Sequence, residues 1–105
     1  MSETVILCRT DELSSGQARR FDVAGHRIAL VRTDDVFHAI GDRCSHENYS
    51  LAEGEVWVDE CEIECPRHGS TFDLRTGTPC SLPATHAVPV YDVKVADGNV
   101  SVVLP

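Results

Sequence analysis

Apolar and polar residues alternate in short runs along most of this chain. The stretches "TVILC" (4–8), "RIALVR" (27–32), "VFHAI" (36–40), "YDVKVA" (91–96) and "NVSVVL" (99–104) follow the period-two pattern of strands. Between them, Ala24-Gly25, Asp34-Asp35 and Asp97-Gly98-Asn99 supply tight reversals of the kind that join antiparallel neighbours. The stretches "GEVWV" (54–58) and "CEIEC" (61–65) read as another hairpin, turning at Asp59-Glu60. No segment sustains a helical stripe over three turns, although "DELSSGQAR" (11–19) has room for one short turn. Residues 75–89, with three prolines and a glycine, read as an ordered loop, and Asp73, Arg75 and Gly77 around its start read as a turn, with Gly77 at positive φ. Many short strands with frequent turns predict an all-β fold, an antiparallel sandwich or barrel.

Length and charge narrow the function. With 105 residues the chain is expected to be one domain, 1–105, with a modest core. A net charge of -8 argues against nucleic acid, whose phosphates demand cations, and against anionic membranes; it favours a protein partner with a basic patch. The first residues, "MSETVILCRTDEL", show no export signal, and no apolar run reaches the roughly 18 residues that span a bilayer, so the expected location is cytoplasmic. In that setting the five cysteines, Cys8, Cys44, Cys61, Cys65 and Cys80, are expected to stay thiols, which favours metal binding over disulfides.

The chemistry concentrates in two pairs. Cys44-x-His46 is followed after eighteen residues by Cys65-x-x-His68. With each pair at a hairpin tip, two converging loops offer two thiolates and two imidazoles, which suits a two-iron, two-sulfide cluster with one iron held by the cysteines and the other by the histidines. In the diferric state the irons and sulfides carry about +2, which two thiolates cancel, whereas four would leave about -2 and make reduction harder. Zinc is the competing reading, since two cysteines and two histidines also bind it tetrahedrally. Cys8 and Cys61 read as small buried strand residues, His26, His38 and His86 as ordinary surface or strand residues, and Trp57 as core. Cys80, in the proline-rich loop, could approach the cluster without binding it.

Three stretches, "AIGDRCSH", "CPRHGSTFDLRTG" and "LPATHAVPVYDVKV", make the chain similar to the Rieske-type [2Fe-2S] ferredoxins, the soluble ferredoxin components of aromatic-ring dioxygenase systems. The resemblance implies an antiparallel Rieske-type β-sandwich with two cluster-binding hairpin loops at one end. It implies one [2Fe-2S] cluster, with Cys44 and Cys65 on one iron and His46 and His68 on the other. Pro66 and Gly69 would let the chain wrap closely around the cluster, Ser70 would donate to a bridging sulfide, and Pro83, aided by Leu82, would shield the site from water. Respiratory relatives brace the cluster with a disulfide where this chain has Tyr49 and Arg67, and place a tyrosine where it has Phe72. These departures predict a potential near the low end of the Rieske range, roughly -150 mV.

The function so implied is one-electron transfer from an NAD(P)H-dependent flavoprotein reductase to a terminal oxygenase or other redox protein, by a monomer that is not itself an enzyme. A catalytic oxygenase would need a second site of two histidines and a carboxylate, for which the chain has no room. A ferredoxin or iron-sensing module of a cluster-assembly pathway and a structural zinc module stand as alternatives.

Overall fold

In the computed structural model, residues 3–44, 49–66, 69–80 and 86–105 are described. Among these described residues nine strands follow one another: β1 (Glu3–Arg9), β2 (Ala18–Val23), β3 (His26–Thr33), β4 (Val36–Gly41), β5 (Val56–Trp57), β6 (Glu62–Glu64), β7 (Thr71–Asp73), β8 (Val90–Ala96) and β9 (Asn99–Leu104). Single 3₁₀ turns occupy Thr10–Glu12 and Leu51–Glu53. Six strands form one sheet in the order β1-β9-β8-β4-β3-β2, and β5-β6-β7 form a second, smaller one. Every pairing is antiparallel, as the alternation predicted. Among the described residues, no helix is long and apolar enough to cross a membrane.

The expected reversals lie where the turn chemistry put them. Ala24 and Gly25 both take positive φ, as do Asp97 and Gly98, the geometry that matches the twist of two joined strands. β2 and β7 did not stand out in the sequence. β2, "ARRFDV", has an exposed, charged face on an edge strand, and β7 is three residues long with Phe72 as its sole apolar residue. The expected turn in residues 11–19 lies one residue earlier, at Thr10–Glu12.

β3 explains how one sheet serves two cores. Ile28 and Leu30 pack with Val100, Val102 and Leu104 of β9, whereas Ala29 and Val31 pack with Ile63, Phe72 and Leu74 on the side of the small sheet. All four β3 residues are fully buried, so "IALV" is a continuous apolar run because both of its faces are covered. The second core contains Cys44 and Cys65.

The loop over residues 75–89 is tied at both ends. Gly77, at φ +75°, donates to the Asp73 carbonyl at 2.7 Å, and Val88 donates back to Gly77 at 2.9 Å. Pro79 bridges to Phe72, and the Gly41 N–H reaches the Pro89 carbonyl at 2.8 Å. β9 also closes the fold, pairing with β1 on one side and β8 on the other.

Candidate metal centre

Two loops present the central cysteines in the same way. The Cys44 N–H donates to the Tyr49 carbonyl at 2.9 Å, and the Cys65 N–H donates to the Ser70 carbonyl at 2.7 Å, five residues on in each case. Just outside these bonds, Arg43 bridges antiparallel to Ser50, and Glu64 pairs with Thr71. Each cysteine is thus the first residue inside a closed hairpin mouth. Both thiols are buried, at 1% and 0% exposure, and both join the core formed by Leu51, Ile63, Phe72, Leu74 and Val88. The two thiols thus belong to one buried core. His46, His68 and Pro83, together with Leu82 and Arg67, lie outside the described residues.

The donor chemistry fits an iron–sulfur group. All five cysteines are free thiols, and Cys44 and Cys65 sit at loop mouths, unlike Cys8, which is a buried hydrophobe on β1. Paired soft sulfur donors suit zinc, copper(I) or iron–sulfur clusters. Among the described residues no three histidine, cysteine or acidic groups gather as a metal site, in keeping with only two of the four expected ligands lying there.

Around the second loop, Ser70 is fully buried at the closing position. Pro66 is exposed. Gly69 takes φ +73° and donates its N–H to the Cys65 carbonyl at 3.0 Å; an added Cβ would meet nothing within 4 Å. Its left-handed backbone is itself a demand that glycine meets without strain. Phe72 is fully buried, and Tyr49 is partly exposed.

Asp42, two residues before Cys44, was not singled out from the sequence, yet it is fully buried and heavily bonded. Its Oδ1 accepts from the Ser50 hydroxyl at 2.8 Å and the Ala52 N–H at 2.9 Å, and its Oδ2 accepts from Arg27 Nε at 3.1 Å. Arg20 Nε lies 3.8 Å away. An aspartate directly after the apolar "AIG" end of a strand was the available signal.

Other expectations need correcting. Trp57 is not core: it is 41% exposed, because β5 turns Val56 inward and the indole outward. Cys61 is not a strand residue but ends the turn before β6, half-buried at φ +57°. Its Sγ lies 3.6 Å from Nε2 of His38, which also meets Thr33 Oγ1 at 3.0 Å. Burial, and then the charge of Arg75, hold the His38 pKa below its ordinary value, while burial raises those of Cys61 and Cys8. Cys80 is exposed, its thiol 3.7 Å from the Thr78 carbonyl. His26 contacts the Tyr91 hydroxyl at 3.2 Å, and His86 is exposed.

Comparison with known proteins gives consistent results. A family model described as the Rieske [2Fe-2S] domain matches residues 3–92. The 3-phenylpropionate/cinnamic acid dioxygenase ferredoxin subunit of Photorhabdus laumondii subsp. laumondii is 43% identical over 96 residues, 91% of this chain and 90% of the relative. The solved ferredoxin of carbazole 1,9a-dioxygenase from Nocardioides aromaticivorans IC177 superposes with a TM-score of 0.92 at 38% identity, covering 94% of this chain and 95% of the other. A chain in the complex of reduced oxygenase and oxidized ferredoxin in carbazole 1,9a-dioxygenase superposes with a TM-score of 0.88 at 37% identity, covering 94% and 91%.

Proposed function

Because the chain belongs to the Rieske [2Fe-2S] domain family, we propose that it is a one-electron carrier with no substrate of its own, serving an aromatic-ring dioxygenase. Its cofactor is one Rieske-type [2Fe-2S] cluster. Bound, that cluster accepts and releases a single electron. We assign Cys44 and Cys65 to one iron and His46 and His68 to the other, and extend the domain over residues 1–105, since β9, beyond the matched segment, completes the large sheet. The observation that carries the assignment is the equivalence of the two closed loops, which bring buried thiols into one core.

What the chain does in this reading is hold and present. The hairpin mouths fix the sulfur donors through backbone bonds, so little rearrangement accompanies a change of charge. The surrounding core excludes water from the thiolate side. Electrons arrive from an NAD(P)H-dependent flavoprotein reductase and leave to the terminal oxygenase, the carrier acting as a cytoplasmic monomer. Residues 53–66 contain six carboxylates and no cation, and Trp57 stands exposed among them, which supports brief docking against basic partner surfaces.

Purified protein is expected to contain two irons and two acid-labile sulfides, to give a Rieske-type paramagnetic signal after dithionite, and to have a midpoint below zero. It should restore ring hydroxylation to a dioxygenase and reductase lacking their ferredoxin. Bound zinc without sulfide would refute the assignment.

A further inference from the structure

The two ligand loops are equivalent in backbone but not in what holds their mouths. In the second, the position two before the cysteine is Ile63, a buried strand residue, and the mouth is fastened by the three pairs of β6 with β7. The first loop has one bridge, Arg43 with Ser50; beyond it the entry arm runs back into β4 but the exit arm turns into the 3₁₀ segment Leu51–Glu53, so among the described residues no strand pairs the two arms. In the place of Ile63 stands Asp42, a carboxylate with no solvent exposure.

Burying a carboxylate costs stability unless partners replace its water, and an apolar residue would serve the core better. The partners here show what the cost secures. Oδ1 is shared by Ser50 Oγ and Ala52 N, both on the exit side of the loop, at 2.8 and 2.9 Å. Oδ2 is held by Arg27 of β3 at 3.1 Å, with Arg20 of β2 at 3.8 Å. The Asp42 N–H donates to the Arg27 carbonyl at 2.9 Å, and its carbonyl accepts from the Leu51 N–H at 2.6 Å. One side chain thus joins the entry of the loop, its exit and the large sheet.

We infer that Asp42 is the positioning residue of the first ligand loop: its carboxylate replaces the missing strand pairs, sets where Cys44 stands, and places a fixed negative charge beside the site. The inference rests on Cys44 being a cluster ligand. It separates two effects. Asparagine can still accept from Ser50 and Ala52 but gives up the charge and its pairing with Arg27; alanine gives up both. Ser50→Ala removes one mouth bond and leaves the charge.

The test uses the cluster-loaded protein, with iron and sulfide content, the spectrum of the reduced state, the midpoint and the rate of cluster loss to a chelator as readouts. Asp42→Ala should lose its cluster on the order of 10-fold faster, with broadened paramagnetic resonances. Asp42→Asn should keep a near-normal spectrum with a raised midpoint, because a negative charge beside the site is gone. Ser50→Ala should alter the spectrum and speed cluster loss without raising the midpoint. Normal retention, spectrum and midpoint in Asp42→Asn and Ser50→Ala would overturn the inference even if Asp42→Ala fails to fold. Wild-type protein without iron and sulfide would instead overturn the cluster assignment on which it rests.

Discussion

His38 shows how one side chain outside the metal centre can govern the pH range of the fold. It is half-buried, its Nε2 between Thr33 Oγ1 and Cys61 Sγ, and burial lowers its pKa. In the unfolded chain the imidazole takes up a proton near its ordinary value of 6.5, whereas in the native state it does so only at lower pH. Below that value the unfolded state therefore binds more protons, and stability falls with pH until the native group also protonates. Asp73 acts in the same direction in a lower window. Its hydrogen bonds from Arg75 hold its pKa below the ordinary 3.8, so its stabilisation is present above that value and fades below it. With Arg75 largely exposed, that share is small. Denaturant melts should show stability dropping as pH falls below the ordinary histidine value of 6.5, with His38→Gln losing most of that slope. An unchanged slope in the variant would place the responsible proton elsewhere.

Elements transmit position to the ligands through close contacts. Gly54 ends the 3₁₀ turn Leu51–Glu53, and its Cα lies so near the backbone of β6 that an added Cβ would collide with the Glu64 carbonyl oxygen. Glu64 precedes Cys65, and the Glu64 N–H donates to the Glu55 carbonyl at 2.8 Å, so the collision cannot be relieved without shifting the second ligand loop. Gly54→Ala is expected to destabilise the protein by about 3 kcal/mol, as overpacking against rigid backbone does. The shift should appear in the midpoint of chemical denaturation, accompanied by reduced cluster content. A fully loaded variant of normal stability would mean that β6 can yield there.

At the scale of the whole molecule, the excess of carboxylates is unevenly placed. On the outer face of the small sheet, Trp57 pairs across to Glu62 and Glu62 to Asp73, while Val56, Ile63 and Phe72 face the core. Like charges directly opposite on neighbouring strands weaken a sheet, and Arg75, bonded to Asp73, offsets this only in part. The strand β6 of that face runs directly into Cys65, one of the proposed cluster ligands. Reduction of the carrier by the proposed flavoprotein reductase should slow as salt rises through about 0.1 M, where the screening length is about 10 Å. Trp57→Ala should raise the apparent KM for the carrier several-fold and leave the midpoint unchanged, since an exposed indole is a typical anchor at interfaces. Equal slowing by Asp34→Asn at the β3–β4 turn would point to net charge alone and not to this face.

Local pattern carried the outline of the molecule because its causes are local. Period-two alternation marked the longer strands, glycine and aspartate marked their reversals, and two short Cys/His spacings marked the loops, each within a few residues of chain. What depended on distant partners was not legible: β2 and β7 form because neighbours supply the pairing, Trp57 faces outward because Val56 fills the core, and Cys61 follows the turn rather than the strand. Asp42 is the sharpest case. Its carboxylate gains meaning only when Arg27 from β3 and Ser50 from the far side of the loop close around it. The sequence alone determined which donor types could hold a cluster; packing decided how the two thiols come together in one core, because no spacing in a chain specifies contact across sheets.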